Sequence, residues 1–142
     1  MNIPTRTVSP SPFAASPVCT IGLLLLCSAY LQGALEKSFD FASALAEMQH
    51  FGLAPAMPFA LLTIAGEIIA SLMVVSGYKR WLGAAYLGIF TLMATMLANR
   101  FWELAGSARM PLENGFFEHL GLAGAFLLVA WVDFRAQSRA GR

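Results

Sequence analysis

Residues 57–78 form an apolar run of 22 residues broken by a single charge, Glu67. A helix of that length spans the hydrocarbon core of a bilayer. A carboxylate at its centre is costly there unless it is paired, protonated or turned toward a polar interior. Glu67 is therefore the first candidate site residue, and the rest of the chain matters for the partners it can offer.

Composition supports a membrane setting. The chain is 58% hydrophobic and 12% charged over 142 residues, with a mean hydropathy of +0.65, whereas soluble domains carry roughly a quarter charged residues. The length allows one compact domain. A net charge of +1 with no basic stripe excludes nucleic acid as a partner. Cys19 and Cys27 lie eight residues apart, about 12 Å along one helix and too far for a disulfide. They read as small apolar side chains, with no metal site. The sequence contains no GxGxxG, no CxxC and no paired intramembrane histidines, so no intrinsic cofactor is expected. Electrons would need a cofactor carried by another protein.

Four segments qualify as spans, at about 18–35, 57–78, 81–98 and 117–132. The expected fold is all-α, a polytopic membrane protein built as a four-transmembrane-helix bundle over 18–133. Segment 1–17, rich in Pro, Ser and Thr, reads as a disordered cytoplasmic N-terminus. Arg6 before the run 21–26 superficially resembles a secretory signal, but three further spans follow, so the first is read as uncleaved. Residues 134–142 form a basic cytoplasmic tail. The short connection Gly77-Tyr78-Lys79-Arg80 makes spans two and three antiparallel neighbours. Asp40 is placed to cap a short helix over 41–50 that Gly52 closes. Its Phe41, Leu45 and Met48 suit a helix lying on the outer interface, and equally a loop packed over the bundle mouth. Arg6, Lys79, Arg80, Arg135, Arg139 and Arg142 fall on one side and Lys37, Arg100 and Arg109 on the other. That bias puts both termini in the cytoplasm. Trp102 then sits in the outer aromatic belt.

Polar residues recur at i, i+4, i+8 on three spans, which places each set on one helix face. These are Ser28, Gln32 and Glu36; Thr63, Glu67 and Ser71; and Thr91, Thr95 and Asn99. Such faces should turn inward, and Gly121, Gly124 and Ala125 on span four should permit close backbone approach. The expected site is a polar pocket opening outward. Gln32, Lys37, Asn99, Arg100, Glu118 and His119 are its candidate binding residues, and Glu67 on its floor is a candidate proton relay. Lys37 or Arg100 can serve as the counter-charge of Glu67. The plainer account is that Ser and Thr supply interhelical hydrogen bonds, worth under ~2 kcal/mol each, while charges near helix ends reach the interface.

Several short motifs fall in a recognisable order: Gly33-Ala34-Leu35-Glu36-Lys37 closing span one, Phe51-Gly52-Leu53-Ala54-Pro55 before span two, and Gly66-Glu67 within it. The turn Gly77-Tyr78-Lys79-Arg80 follows, and Phe116-Phe117-Glu118-His119-Leu120 opens span four. In these features the chain resembles the DoxX family of small four-helix bacterial membrane proteins, across roughly 20–133. Many members begin span one with an arginine, where this chain has Val18-Cys19-Thr20. The resemblance implies a bacterial inner membrane location and a link to quinol-oxidising or thiosulfate:quinone-reducing systems, several members acting as partners of redox proteins.

Three functions stay open from sequence. The first is a small accessory subunit of a larger quinone-linked membrane redox complex, a non-catalytic role favoured over a stand-alone enzyme. The second is a quinone-binding oxidoreductase component with Glu67 as proton relay. The third is a small proton-coupled carrier, for which four spans are few unless the chain forms a homo-oligomer. In each case the surrounding partner is the lipid bilayer.

Overall fold

The computed structural model describes Phe13 and residues 16–140, with the backbone alone at Ala140. Most of the segment 1–17 expected to be disordered, and the last two residues of the basic tail, lie outside the described residues. The chain is all-helical, and no strand occurs among the described residues. Its elements are α1 (Pro17–Phe39), α2 (Phe41–His50), α3 (Ala56–Ser76), α4 (Arg80–Ala98) and α5 (Arg109–Ala140), with two short 3-10 turns between α4 and α5. Four of these helices are long and apolar enough to cross a membrane.

Local chemistry explains the boundaries. Pro17 stands at the first turn of α1, where its missing N–H costs nothing. Asp40 ends that helix and starts the next: its N–H donates to Glu36 O at 2.9 Å, and its carboxylate accepts from Ser43 N–H at 3.0 Å. Gly77 closes α3 in the left-handed region at φ 85°, a conformation glycine adopts without penalty. Helices α1 and α5 outrun their apolar segments. By length α5 spans about 48 Å, more than the roughly 30 Å of a hydrocarbon core, so its charged ends extend beyond the apolar stretch 117–132.

Helix α2 combines the two forms expected for residues 41–50. It is a helix, and it packs onto the bundle: Ala44 and Met48 are buried against Ala60 of α3.

The main core lies toward the end of the bundle that carries the α3–α4 turn. Leu23, Cys27 and Tyr30 of α1 meet Ala70 and Val74 of α3, Ala84 and Leu87 of α4, and Phe126 and Val129 of α5. Close approach is achieved differently from the sequence expectation. Gly121 and Gly124 are exposed, and a Cβ added at either would meet nothing within 4 Å, because they face away from the bundle. Glycines of α4 do that work instead. A Cβ on Gly83 would lie 2.7 Å from Ala70 O, and one on Gly88 would lie 3.4 Å from Phe126 Cβ.

The same end is fastened by a buried ion pair. Arg80 Nη1 lies 3.7 Å from Asp133 Oδ1, and both residues are buried. Arg80 Nε donates to Val74 O at 2.7 Å. Asp133 Oδ2 accepts from Trp81 N–H at 3.2 Å and from Gln137 Nε2 at 2.8 Å. The carboxylate thus sits at the N-terminus of α4, where the helix dipole favours negative charge.

Candidate functional site

At the opposite end, beneath α2, the four long helices enclose a cavity of about 400 Å³. That lies within the roughly 300–1,000 Å³ range of small-molecule pockets. Its wall is mainly apolar and aromatic, including Phe51, Phe59, Leu62, Tyr86, Phe90 and Met93. Polar groups enter it from all five helices.

Glu67 comes from the middle of α3, with its side chain only 7% exposed. Lys37 Nζ lies 3.9 Å from Glu67 Oε2 and 3.9 Å from Glu47 Oε2 on α2. One ammonium is therefore shared between an acid in the bundle and an acid on its cover. These distances make ion pairs rather than hydrogen bonds, and Glu67 Oε2 has no hydrogen-bond partner among the described residues. A buried carboxylate oxygen without a donor is an expensive arrangement, and it faces a cavity where a ligand can supply one.

Gly33 makes the pair possible. Helical side chains lean toward the N-terminus, so Lys37 runs back over the preceding turn, where Gly33 stands. A Cβ on Gly33 would lie 3.4 Å from Lys37 Nζ and 3.8 Å from Glu67 Oε2. The Gly-x-x-x-Lys spacing thus has a physical reason: the glycine clears the path that brings the ammonium to the acid.

Tyr30 and Thr91 link α1 to α4 across the cavity. Thr91 Oγ1 donates to Leu87 O at 2.6 Å. Its proton is thereby used, so Tyr30 Oη is the donor in the Tyr30–Thr91 hydrogen bond. Tyr30 is held in place edge-on against Phe126, with ring centroids 5.4 Å apart. Tyr86 reaches across to α3 over Gly66, where a Cβ would overlap the Tyr86 hydroxyl and lie 2.7 Å from Cζ.

The sequence-derived candidates separate in space. Glu67, Lys37 and His119 line the cavity. His119 Nδ1 lies 2.6 Å from Gly115 O; a carbonyl only accepts, so Nδ1 carries the proton and a neutral ring keeps Nε2 as an acceptor. Asn99 stays outside, donating to Thr95 Oγ1 at 3.0 Å. Arg100 borders a neighbouring recess with His50 and Glu103 and lies 3.4 Å from Glu103. Gln32 and Glu118 are exposed and line neither space.

Two of the three polar stripes turn inward: Glu67 and Ser71 on α3 and Thr91 and Thr95 on α4 are buried. The third does not, since Ser28, Gln32 and Glu36 are all exposed. Ser28 Oγ donates to Leu25 O at 2.7 Å, so its polarity is met within its own helix. The inward face of α1 is instead Leu23, Cys27, Tyr30, Ala34 and Lys37. Tyr30, Glu47 and Tyr86 were absent from the sequence-derived candidates. The signal for Tyr30 was its seven-residue spacing from Lys37; that for Tyr86 was the neighbouring Gly66-Glu67.

Comparison with known proteins agrees with this architecture. Inner membrane protein YphA of Escherichia coli (strain K12) is 25% identical over 118 residues, covering 82% of this chain and 84% of that protein. No solved structure matches the chain. The DoxX family model matches residues 19–100, more than half of the chain and the part that carries Lys37, Glu67 and the fastened turn. The protein belongs to the DoxX family of integral membrane proteins.

Proposed function

We propose that this protein is a small inner-membrane subunit of a quinone-linked redox complex, and that its cavity receives the quinone head group. The observation that carries this is Glu67: a buried carboxylate with a donor-free oxygen, facing an ammonium, in the wall of a mainly apolar cavity. The name of the relative YphA supports the inner membrane, and the distribution of Lys and Arg supports cytoplasmic termini.

The residues present suit a quinone. Phe90 and Tyr30 offer aromatic surface to a planar ring, and aromatic groups pair favourably offset or edge-on. Lys37 carries three N–H donors, of use to a ring oxygen. When bound, a quinone supplies two-electron, two-proton redox chemistry that the side chains lack. The part of this chain is to orient the ring, exclude water from its face and hold a proton at Glu67 Oε2. Lys37 and the half-exposed Glu47 then connect that oxygen to the surface of α2. The core cluster fills the turn end of the bundle, which favours a one-sided binding subunit over a carrier.

Gentle extraction at native expression, followed by mass spectrometry of co-purifying proteins and quinones, tests this. A stoichiometric redox protein together with quinone is expected, with the quinone lost in Glu67→Leu. Recovery of the chain with neither a redox partner nor quinone would overturn the proposal.

A further inference from the structure

The cavity beneath α2 is not fully enclosed. We infer that it is the head-group end of a site for a head-and-tail lipid, whose hydrocarbon tail leaves the protein between α3 and α4. This rests on the cavity being a ligand site, but not on the head being a quinone.

Helices α3 and α4 are pressed together at their turn end, where Gly83 meets the Ala70 carbonyl, and again where Tyr86 crosses Gly66. Beyond Tyr86, toward α2, both helices line the cavity. Phe59, Leu62 and Thr63 line it from α3, and Phe90, Met93 and Leu97 line it from α4. Three of these wall residues also lie on the outer surface of the bundle: Phe59 is 38% exposed, Leu62 65% and Met93 63%. Residues that are at once cavity wall and outer surface are the lips of a slot. By contrast, Tyr30 and Thr91, which also line the cavity, are buried.

The slot opens toward lipid. Leu62 lies about 9 Å along α3 from its start and Met93 about 7.5 Å from the end of α4. Both fall within the apolar spans of those helices, so the lips face hydrocarbon and not water. Glu67 lies about 7.5 Å further along α3 than Leu62, which puts the ion pair at the inner end of the path. Size supplies the second half of the inference. A space of about 400 Å³ is at the small end of ligand pockets, enough for a ring or a compact polar head but not for a long chain as well. A lipid whose head reaches Glu67 and Lys37 must leave its tail in the slot.

The test uses the full-length protein in lipid nanodiscs, with ligand concentrations expressed per lipid. Two probes share one ring: a benzoquinone bearing a decyl tail, and the same benzoquinone without it. The variant Leu62→Trp/Met93→Trp narrows the slot from its exposed lips, and Leu128→Trp, on the exposed surface of α5, is the control. The tailed probe is expected to bind at least tenfold more tightly than the tailless one. The slot variant should remove that advantage by weakening the tailed probe far more than the tailless one, and the control should change neither. Equal affinity for the two probes, or an unaltered tail advantage in the slot variant, overturns the slot. If neither probe binds, the quinone head is wrong, and the slot is judged by mass spectrometry of lipids retained on purification. A lipid kept by the native protein and lost from the slot variant upholds it; the same retained lipids in both proteins, or none in either, overturn it.

Discussion

At the scale of the residue, the site depends on one lysine laid over one glycine. Gly33→Ala adds a methyl at ordinary contact distance from the flexible end of Lys37, and alanine is the better helix former by about 1 kcal/mol. Thermal unfolding of that variant should shift little, in either direction. Gly33→Val puts a branched side chain where the ammonium runs. It should cost the tailed benzoquinone at least tenfold in affinity, read by titration in nanodiscs, while the helix content by circular dichroism stays native. Glu67→Gln and Glu67→Leu separate charge from shape. If Glu67 holds a proton, Gln should lower the turnover of the assembled redox complex at normal expression. If it only bridges helices, Gln should be nearly silent and Leu should impair assembly. Native behaviour in both variants would remove Glu67 from the site.

At the scale of the element, the spans were legible because a bilayer imposes a length and a composition that few other structures satisfy. The inward faces of α3 and α4 were legible too, through Thr63, Glu67 and Ser71 and through Thr91 and Thr95. On α1 the polar pattern misled: Ser28 donates to the Leu25 carbonyl of its own helix, and Gln32 and Glu36 lie on the exposed side. Side-chain size was the better guide there, since Leu23, Cys27, Tyr30, Ala34 and Lys37 keep a coiled-coil-like spacing. The pairing of Arg80 with Asp133 was not legible, because nothing local joins a turn residue to one near the far end of α5. That pair carries its own prediction. Removing one member of a buried ion pair costs about 3–5 kcal/mol, so Arg80→Met should lower the unfolding midpoint sharply. Asp133→Asn should be milder than Asp133→Leu, since an amide oxygen still accepts from Trp81 N–H. Equal losses in those two variants would assign the effect to charge alone. Arg80→Met/Asp133→Leu should recover part of the loss, measured as a double-mutant cycle.

At the scale of the whole molecule, the bundle is asymmetric from end to end: one end is filled and fastened, the other hollow and roofed by α2. With the cytoplasmic termini proposed above, the filled end faces inward and the roofed end outward. With the native cysteines replaced, a single cysteine at Lys79 should react with a membrane-impermeant maleimide only after permeabilisation. One at Glu103 should react from outside in intact spheroplasts, and the reverse pattern would invert the orientation. The same asymmetry has a mechanical side. The last place where α4 presses on α3 before the slot is Tyr86 over Gly66, and the α4 lip at Met93 lies about 10.5 Å along the helix from it. On that lever a tilt of roughly 5° moves the lip by about 0.9 Å. Small rocking of two helices about a fixed point thus widens the slot by a useful fraction of a hydrocarbon chain's width, while the filled end stays still.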